Sequence, residues 1–292
     1  MMNQRINTRQ KKPPWLRRRL PTDSSFEKVR ALFARGSLKT VCQSARCPNI
    51  WECFSEMTAT FLIMGDRCTR DCRFCAISKG PTLPPDPGEP LCIAVAVQEM
   101  GLQHVVITSV CRDDLPDYGA DCFVRTIQSI RLKNHKTTME VLIPDFCGNQ
   151  QSIKALIASK PDVIGHNIET VPRLYKKVRP HAVYKRSLSL LCKVYKSGTG
   201  IPVKSSLMLG LGEKKEEVLQ TLEDLLHAGC SILTMGQYLQ PTKKHIPVEE
   251  FIVPEVFAQW EKRALEMGFS RVLCGPFVRS SYKAGALLAK VG

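Results

Sequence analysis

The sequence has no long apolar run, only six histidines, few aromatics and an odd number of cysteines. Its longest clean apolar stretch, "LCIAVAV" at 91–97, falls far short of the roughly 20 residues that a bilayer-spanning helix needs. The first residues hold no apolar core of the secretory kind. The expectation is a cytoplasmic protein with no membrane partner. Thirteen cysteines in a long chain without an export signal do not read as a disulfide framework, which leaves metal or redox chemistry. Aromatics make up 7%, and the basic N-terminal arm holds a single Trp15, so an interleaved basic and aromatic surface for nucleic acid is not expected. No low-complexity tract or exact internal repeat occurs, and no Gly-rich phosphate loop opens the first helix after a strand.

The net charge of +15 is uneven: residues 1–40 hold eleven Lys or Arg against two acidic residues. Such an arm fits a solvated tail, a transit peptide or an attraction to an acidic partner; "KKPPWLRRRLP" is too rich in proline for an amphipathic transit helix.

Beyond residue 58, short β-rich runs alternate with helical stretches. Strands are predicted at 60–65, 104–110, 138–146, 162–169, 202–210, 232–241 and 271–278, and helices at 151–159, 184–197, 214–228 and 254–267. This alternation implies parallel strands joined by crossover helices. The polar strand ends "TSVCRDD", "HNIET", "LGLGE" and "GQYLQP" would converge on one mouth in a β/α barrel, which is favoured over an open doubly wound sheet. "PTLPPDPGEP" at 81–90 reads as a connector into the next helix.

Six cysteines (Cys42, Cys47, Cys53, Cys68, Cys72 and Cys75) fall within 34 residues. Cys92, Cys122, Cys192 and Cys230 sit singly in apolar or helical surroundings and are expected to be buried hydrophobes. Structural zinc needs four ligands, yet each cluster of thiols supplies three, and no histidine lies between residues 42 and 103. An iron–sulfur cubane accepts three cysteines and keeps one iron open.

The Cys-x3-Cys-x2-Cys spacing of "CTRDCRFC" resembles the radical S-adenosylmethionine enzymes. There the open iron chelates the methionine moiety, and an electron from the cluster yields a 5′-deoxyadenosyl radical. Phe74 matches the aromatic slot near the adenine. The second triplet in "VCQSARCPNIWEC" narrows the likeness to the lipoyl synthase family, as do "PPWLRRRLP", "VITSVCRDDLPDYGA", "VLIPDF", "GHNIETVPRLYKKVRP", "LMLGLGE", "LTMGQYLQPTKKHIPV" and "GPFVRSSYKA". The resemblance implies a partial (β/α)6-type TIM barrel of the radical S-adenosylmethionine kind over 59–278. An N-terminal extension at 1–58 would carry the auxiliary cluster motif, and a tail at 279–292 would cap that cluster.

It further implies sulfur insertion at C6 and C8 of an octanoyl chain on a carrier-protein lysine, with two 4Fe–4S clusters and S-adenosylmethionine. Cys68, Cys72 and Cys75 would hold the radical cluster. Cys42, Cys47, Cys53 and Ser281 would hold the auxiliary, sacrificial one, with Arg279 steadying Ser281 or the cluster sulfides. Implied partners are octanoylated lipoyl domains of 2-oxoacid dehydrogenases, the glycine cleavage H protein, a low-potential electron donor and iron–sulfur assembly or carrier proteins.

Ser109, Asn167 and Glu169 are candidates for the ribose or methionine of S-adenosylmethionine, as are Lys204 and Gln237. His166 is expected to be structural. The chain departs from the family pattern at Cys111, where an acid is usual, and at Cys147 and Gly165. A radical enzyme with another substrate, of thiomethylating or biotin type, and a zinc-bearing nucleic-acid-binding protein are the competing readings.

Overall fold

The computed structural model describes residues 12–17, 25–56 and 58–289. The basic residues at 1–11, with Arg18 and Arg19, and positions 290–292 of the tail lie outside the described residues.

Helix α1 (Ser25–Arg35) leads into strand β1 (Lys39–Thr40) and the short helices α2 (Val41–Ser44) and α3 (Ile50–Ser55). Strand β2 (Thr60–Ile63) is followed by the two-residue strands β3 (Arg67–Cys68) and β4 (Ser78–Lys79) and by α4 (Glu89–Glu99). Then come β5 (His104–Ser109), α5 (Ala120–Lys133), β6 (Thr138–Leu142), α6 (Gln150–Ala158) and β7 (Val163–Gly165). The remaining elements are α7 (Tyr175–Val178), α8 (Tyr184–Lys196), β8 (Val203–Leu209), α9 (Lys215–His227), β9 (Ile232–Gln237), α10 (Pro254–Met267), β10 (Arg271–Gly275) and α11 (Ala284–Ala289).

The main sheet runs β1-β2-β5-β6-β7-β8-β9-β10. Every pairing from β2 to β10 is parallel, and β1 lies antiparallel on β2. Six strand–helix–strand crossovers therefore precede a final strand, in sequence order across the sheet. All seven predicted strands are present, shortened where the chain turns; β6 stops at Leu142 because Pro144 lacks an N–H for the ladder.

Alternation along β5 shows how the sheet curls. Val105 and Ile107 are buried in the core shared with Ile93, Val97, Phe123 and Ile127 of α4 and α5, while His104, Val106 and Thr108 face a cavity on the opposite side. Thr60 and Leu62 of β2, Ser206 and Met208 of β8, and Gly236 of β9 line the same cavity, so the strands wrap around it as a barrel. The barrel lacks a β2–β10 pairing among the described residues. α11 contacts both β5 and β10, its Leu287 buried with Val163 and Ile232.

Candidate active site

All six clustered cysteines line one cavity of about 910 Å³, near the upper end for small-molecule sites. The radical-motif triplet sits on the loop pinched between β3 and β4, which pair in parallel through Arg67↔Ser78 and Cys68↔Lys79. Positive φ at Met64 (65°) and Gly65 (86°) turns the chain out of β2 into this loop.

Four neighbours hold the loop. The Thr69 N–H donates to Cys111 O (3.1 Å), the Arg73 N–H to Val178 O (2.9 Å) and the Ile246 N–H to Arg73 O (3.3 Å). The ring of His245 bonds Cys75 O through Nε2 (2.9 Å). Arg70, between the first two cysteines, is buried and donates to Asp113 (2.6 and 2.9 Å) and Asp145 (2.6 Å). Asp145 also accepts from Arg186 Nε (2.6 Å), and its carboxyl is held far below the usual carboxylate range: the two arginines outweigh the opposing effect of burial.

The auxiliary triplet is built from two short helices. Thr40 Oγ1 caps α2 by accepting from the Gln43 N–H (3.0 Å), and Arg46 at φ 51° reverses the chain so that the Cys47 N–H donates to Cys42 O (2.9 Å). The C-terminal segment is pinned across α3. Asn49 Nδ2 donates to Phe277 O (2.7 Å), and the Tyr282 hydroxyl donates to Glu52 Oε1 (2.7 Å), with Lys283 Nζ 3.8 Å from the same carboxylate. Arg279, Ser280 and Ser281 thereby line the cavity together with Cys42, Cys47 and Cys53. Gly236 admits this segment: a Cβ there would lie 2.0 Å from Val278 O.

The donor sets fit iron–sulfur clusters. Burial pushes the Cys42 thiol up to about 11, with Cys47 adding to the rise; Cys53 is pushed up to about 12 by burial and by Cys42 and Cys47. Burial likewise raises Cys72, and it takes Cys75 to about 12 with help from Cys72 and Cys68. Cys68 goes the other way, to about 6, chiefly through a hydrogen bond with Cys111. Soft thiolates gathered in low-polarity surroundings repel one another, and a cationic iron core offsets both the repulsion and the burial cost. Among the described residues no group of three or more His, Cys, Asp or Glu is placed to hold a single metal ion.

At the barrel mouth, Ser109 Oγ is buried without a partner among the described residues and Asn167 Nδ2 donates to Glu169 Oε1 (3.0 Å); all three residues line the cavity, as does Phe74. Glu169 sits at φ 66°, and burial raises its carboxyl against the pull of Arg179 and Arg279. Arg179, which sequence reasoning missed, is buried, donates to Asn167 O (2.9 Å) and Ile168 O (3.2 Å), and keeps its Nε without a partner among the described residues. Nothing in its basic surroundings, "YKKVRP", marks it out. Arg70 and His245 were also missed, although Arg70's place between two motif cysteines is a usable signal.

Several expectations are corrected. Lys204 is not at the mouth: its Nζ donates to both oxygens of buried Glu140 (2.7 and 2.9 Å) inside the barrel. Gln237 lines the cavity but spends its amide on Leu209 O, Tyr238 O, Glu250 O and the Ile252 N–H. "LGLGE" closes on itself, with Glu213 accepting from the Gly210 and Leu211 N–H groups (2.5 and 2.9 Å), and Gly210–Glu213 do not line the cavity. Cys92 is exposed on α4, Cys122 and Cys192 are half-buried, and of these four only Cys230 is buried. His166 is structural as expected, its ring nitrogens bonded to Ile143 O (2.8 Å) and Ser187 Oγ (2.9 Å).

Residues 62–225 match the model of the Radical SAM superfamily. The chain is 53% identical over 279 residues to lipoyl synthase of Desulfotalea psychrophila, covering 96% of this chain and 93% of that one. It is 50% identical to lipoyl synthase of Alkaliphilus metalliredigens, covering 96% and 97%. Among solved structures it is similar in fold to Streptococcus suis SuiB bound to S-adenosylmethionine, with a TM-score of 0.55 at 11% identity over 75% of this chain and 50% of that one. It is also similar to methylornithine synthase, with a TM-score of 0.50 at 15% identity over 77% and 67%.

Proposed function

The chain belongs to the lipoyl synthase family of the radical S-adenosylmethionine superfamily, and from that premise we propose roles for the residues around its cavity. The activity is sulfur insertion at C6 and C8 of an octanoyl chain attached to lipoyl carrier proteins, with two 4Fe–4S clusters and S-adenosylmethionine as cofactors. When bound, these groups supply a carbon-centred radical and the inserted sulfur, chemistry beyond any side-chain acid, base or nucleophile.

Cys68, Cys72 and Cys75 hold the radical cluster and leave one iron for S-adenosylmethionine. Phe74, which lines the cavity, would lie near the adenine. Ser109, Asn167 and Glu169 orient the ribose and methionine groups, and Arg179 offsets part of the burial that raises the Glu169 carboxyl. Cys42, Cys47 and Cys53 hold the auxiliary cluster. Ser281 supplies its fourth ligand, a hard oxygen among soft sulfurs that suits a cluster meant to be opened. Arg279 steadies that end of the site. In this reading 1–58 is an extension bearing the auxiliary motif, 59–278 the barrel and 279–292 the capping tail.

Lipoyl carrier domains are the substrates. We extend this to lipoyl domains of 2-oxoacid dehydrogenases and the glycine cleavage H protein, with a low-potential electron donor and iron–sulfur carrier proteins as further partners. No helix among the described residues is long and apolar enough to cross a membrane. We place the protein in the cytoplasm.

The observation carrying the residue roles is that both triplets and the serines of the C-terminal segment open into one cavity. The test is reconstituted protein with an octanoylated carrier peptide, S-adenosylmethionine and reductant. Mass spectrometry should show two added sulfur atoms, and a product with none refutes the reading.

A further inference from the structure

A fourth thiol stands beside the radical-motif triplet. The Cys111 N–H donates to Cys68 Sγ (3.3 Å), which sets the two cysteines side by side. Their backbones are stitched together on the far side: Thr69 donates its N–H and its hydroxyl to Cys111 O (3.1 and 3.0 Å), and the Asp113 N–H donates to Thr69 Oγ1 (3.1 Å). The paired Arg70 and Asp113 side chains close the next step of the stitch (2.6 and 2.9 Å). Both sulfurs lie in segments held in register, and both residues border the open cavity, where a small oxidant has access. Cys147, the other thiol nearby, is engaged elsewhere: it accepts from Arg70 Nη2 (3.3 Å) and donates to Asp113 Oδ1 (3.4 Å), and it does not line the cavity.

We propose that Cys68 and Cys111 form a reversible disulfide whenever the triplet carries no cluster, with a peroxide as oxidant. The Cys68 thiolate attacks one peroxide oxygen, the O–O bond breaks, and a sulfenic acid and one water result. Cys111 sulfur then displaces the second oxygen as water. Two thiols and one hydrogen peroxide become one disulfide and two waters, the two electrons passing from sulfur to oxygen. A dithiol reductant reverses the bond by exchange. While it stands, the triplet has two thiolates instead of three, so the radical cluster cannot load. This consequence, unlike the disulfide itself, rests on the assignment of Cys68 as a cluster ligand.

The test uses the full chain stripped of iron by chelator, exposed to stoichiometric hydrogen peroxide, blocked with N-ethylmaleimide and digested without reduction. The expected result is a Cys68–Cys111 linked peptide as the main product, cleaved by dithiothreitol and absent in Cys111→Ser. Oxidised wild-type protein should then take up iron and sulfide at the auxiliary triplet alone, about half the reduced protein's load. Links from Cys68 mainly to Cys72 or Cys75, or Cys111 fully alkylated, overturn the disulfide and leave the cluster assignment standing. A Cys68–Cys111 link with undiminished iron loading overturns the block and, with it, Cys68 as a ligand.

Discussion

Gly236→Ala adds one methyl group in strand β9, where the C-terminal segment crosses the barrel. The new Cβ would lie 2.0 Å from Val278 O and 3.0 Å from the Val278 carbonyl carbon, both backbone atoms. Even weak C–H···O contacts settle at about 3.3–3.6 Å, so the segment must retreat by about 1.3 Å or more. Forcing the methyl in place costs about 1–3 kcal/mol as overpacking. Retreat instead strains the Asn49–Phe277 and Tyr282–Glu52 hydrogen bonds, worth about 1 kcal/mol and about 1.5–3 kcal/mol respectively, the latter to a charged acceptor. Retreat moves Ser281 and Arg279 away from the auxiliary thiols and leaves the Cys68 loop untouched.

Two assays separate these effects. Formation of 5′-deoxyadenosine from S-adenosylmethionine should continue near the wild-type rate, while lipoyl product falls at least tenfold. Gly275→Ala is the control, because its nearest neighbour is the Val278 Cγ2 methyl at 3.3 Å, which can rotate away. Wild-type product formation by Gly236→Ala, or equal loss of both activities in folded protein, would refute the reasoning.

Replacing Cys68, Cys72 or Cys75 by Ala should abolish S-adenosylmethionine cleavage, whereas Ala at Cys42, Cys47 or Cys53 should spare cleavage and lose sulfur insertion; both are read by chromatography of the nucleoside and mass of the peptide. Ser281→Ala should keep near-normal iron and cleavage yet make little lipoyl product, Ser281→Cys should hold the auxiliary cluster more tightly and make less still, and Ser280→Ala should be mild. Neutralising Arg17, Arg18 and Arg19 should weaken capture of an intact, acidic carrier and flatten its salt dependence, screened over about 8–10 Å, without affecting a short octanoyl-lysine peptide. Burial and then Arg179 push His166 down to about 4, and burial and then Lys204 do the same to His104. Because the unfolded chain takes up protons that the folded one refuses, stability should fall as pH drops from about 7 toward 4, by about 1.4 kcal/mol per histidine at pH 5.5. Urea unfolding with His166→Gln should show half that slope; an unchanged slope rejects the assignment.

The strands were legible because each combines β-branched residues with a turn, and the order of the sheet followed from their alternation with helices. The helix at Glu89–Glu99 was harder to delimit, since "LCIAVAV" is apolar all round and shows no 3.6-residue period. The helix at Ala120–Lys133 carries Phe123, Ile127 and Ile130 on one buried face and was readable in principle. What hid it was the preceding turn, "RDDLPDYG", whose density of acids and proline reads as loop.

The six cysteines announced themselves because the spacing of neighbouring ligands in one loop is itself the chemistry. Their support does not work that way. Asn49 and Phe277 are 228 positions apart, and Glu52 and Tyr282 are 230 apart, so nothing local marks either pair. Lys204 shows the opposite error. A polar residue in a strand looks the same whether it faces a ligand or a buried partner, and only the register decides. Leu142 pairs with Gly165, and Gly165 with Lys204, which leaves Glu140 one inward position below Leu142 and within reach of the lysine. An ammonium spent on a buried carboxylate has little left to offer S-adenosylmethionine, because breaking such a pair costs about 3–5 kcal/mol. Ser109 differs in this one respect: its hydroxyl is buried at the cavity wall with no partner among the described residues, and so is available to a ligand there.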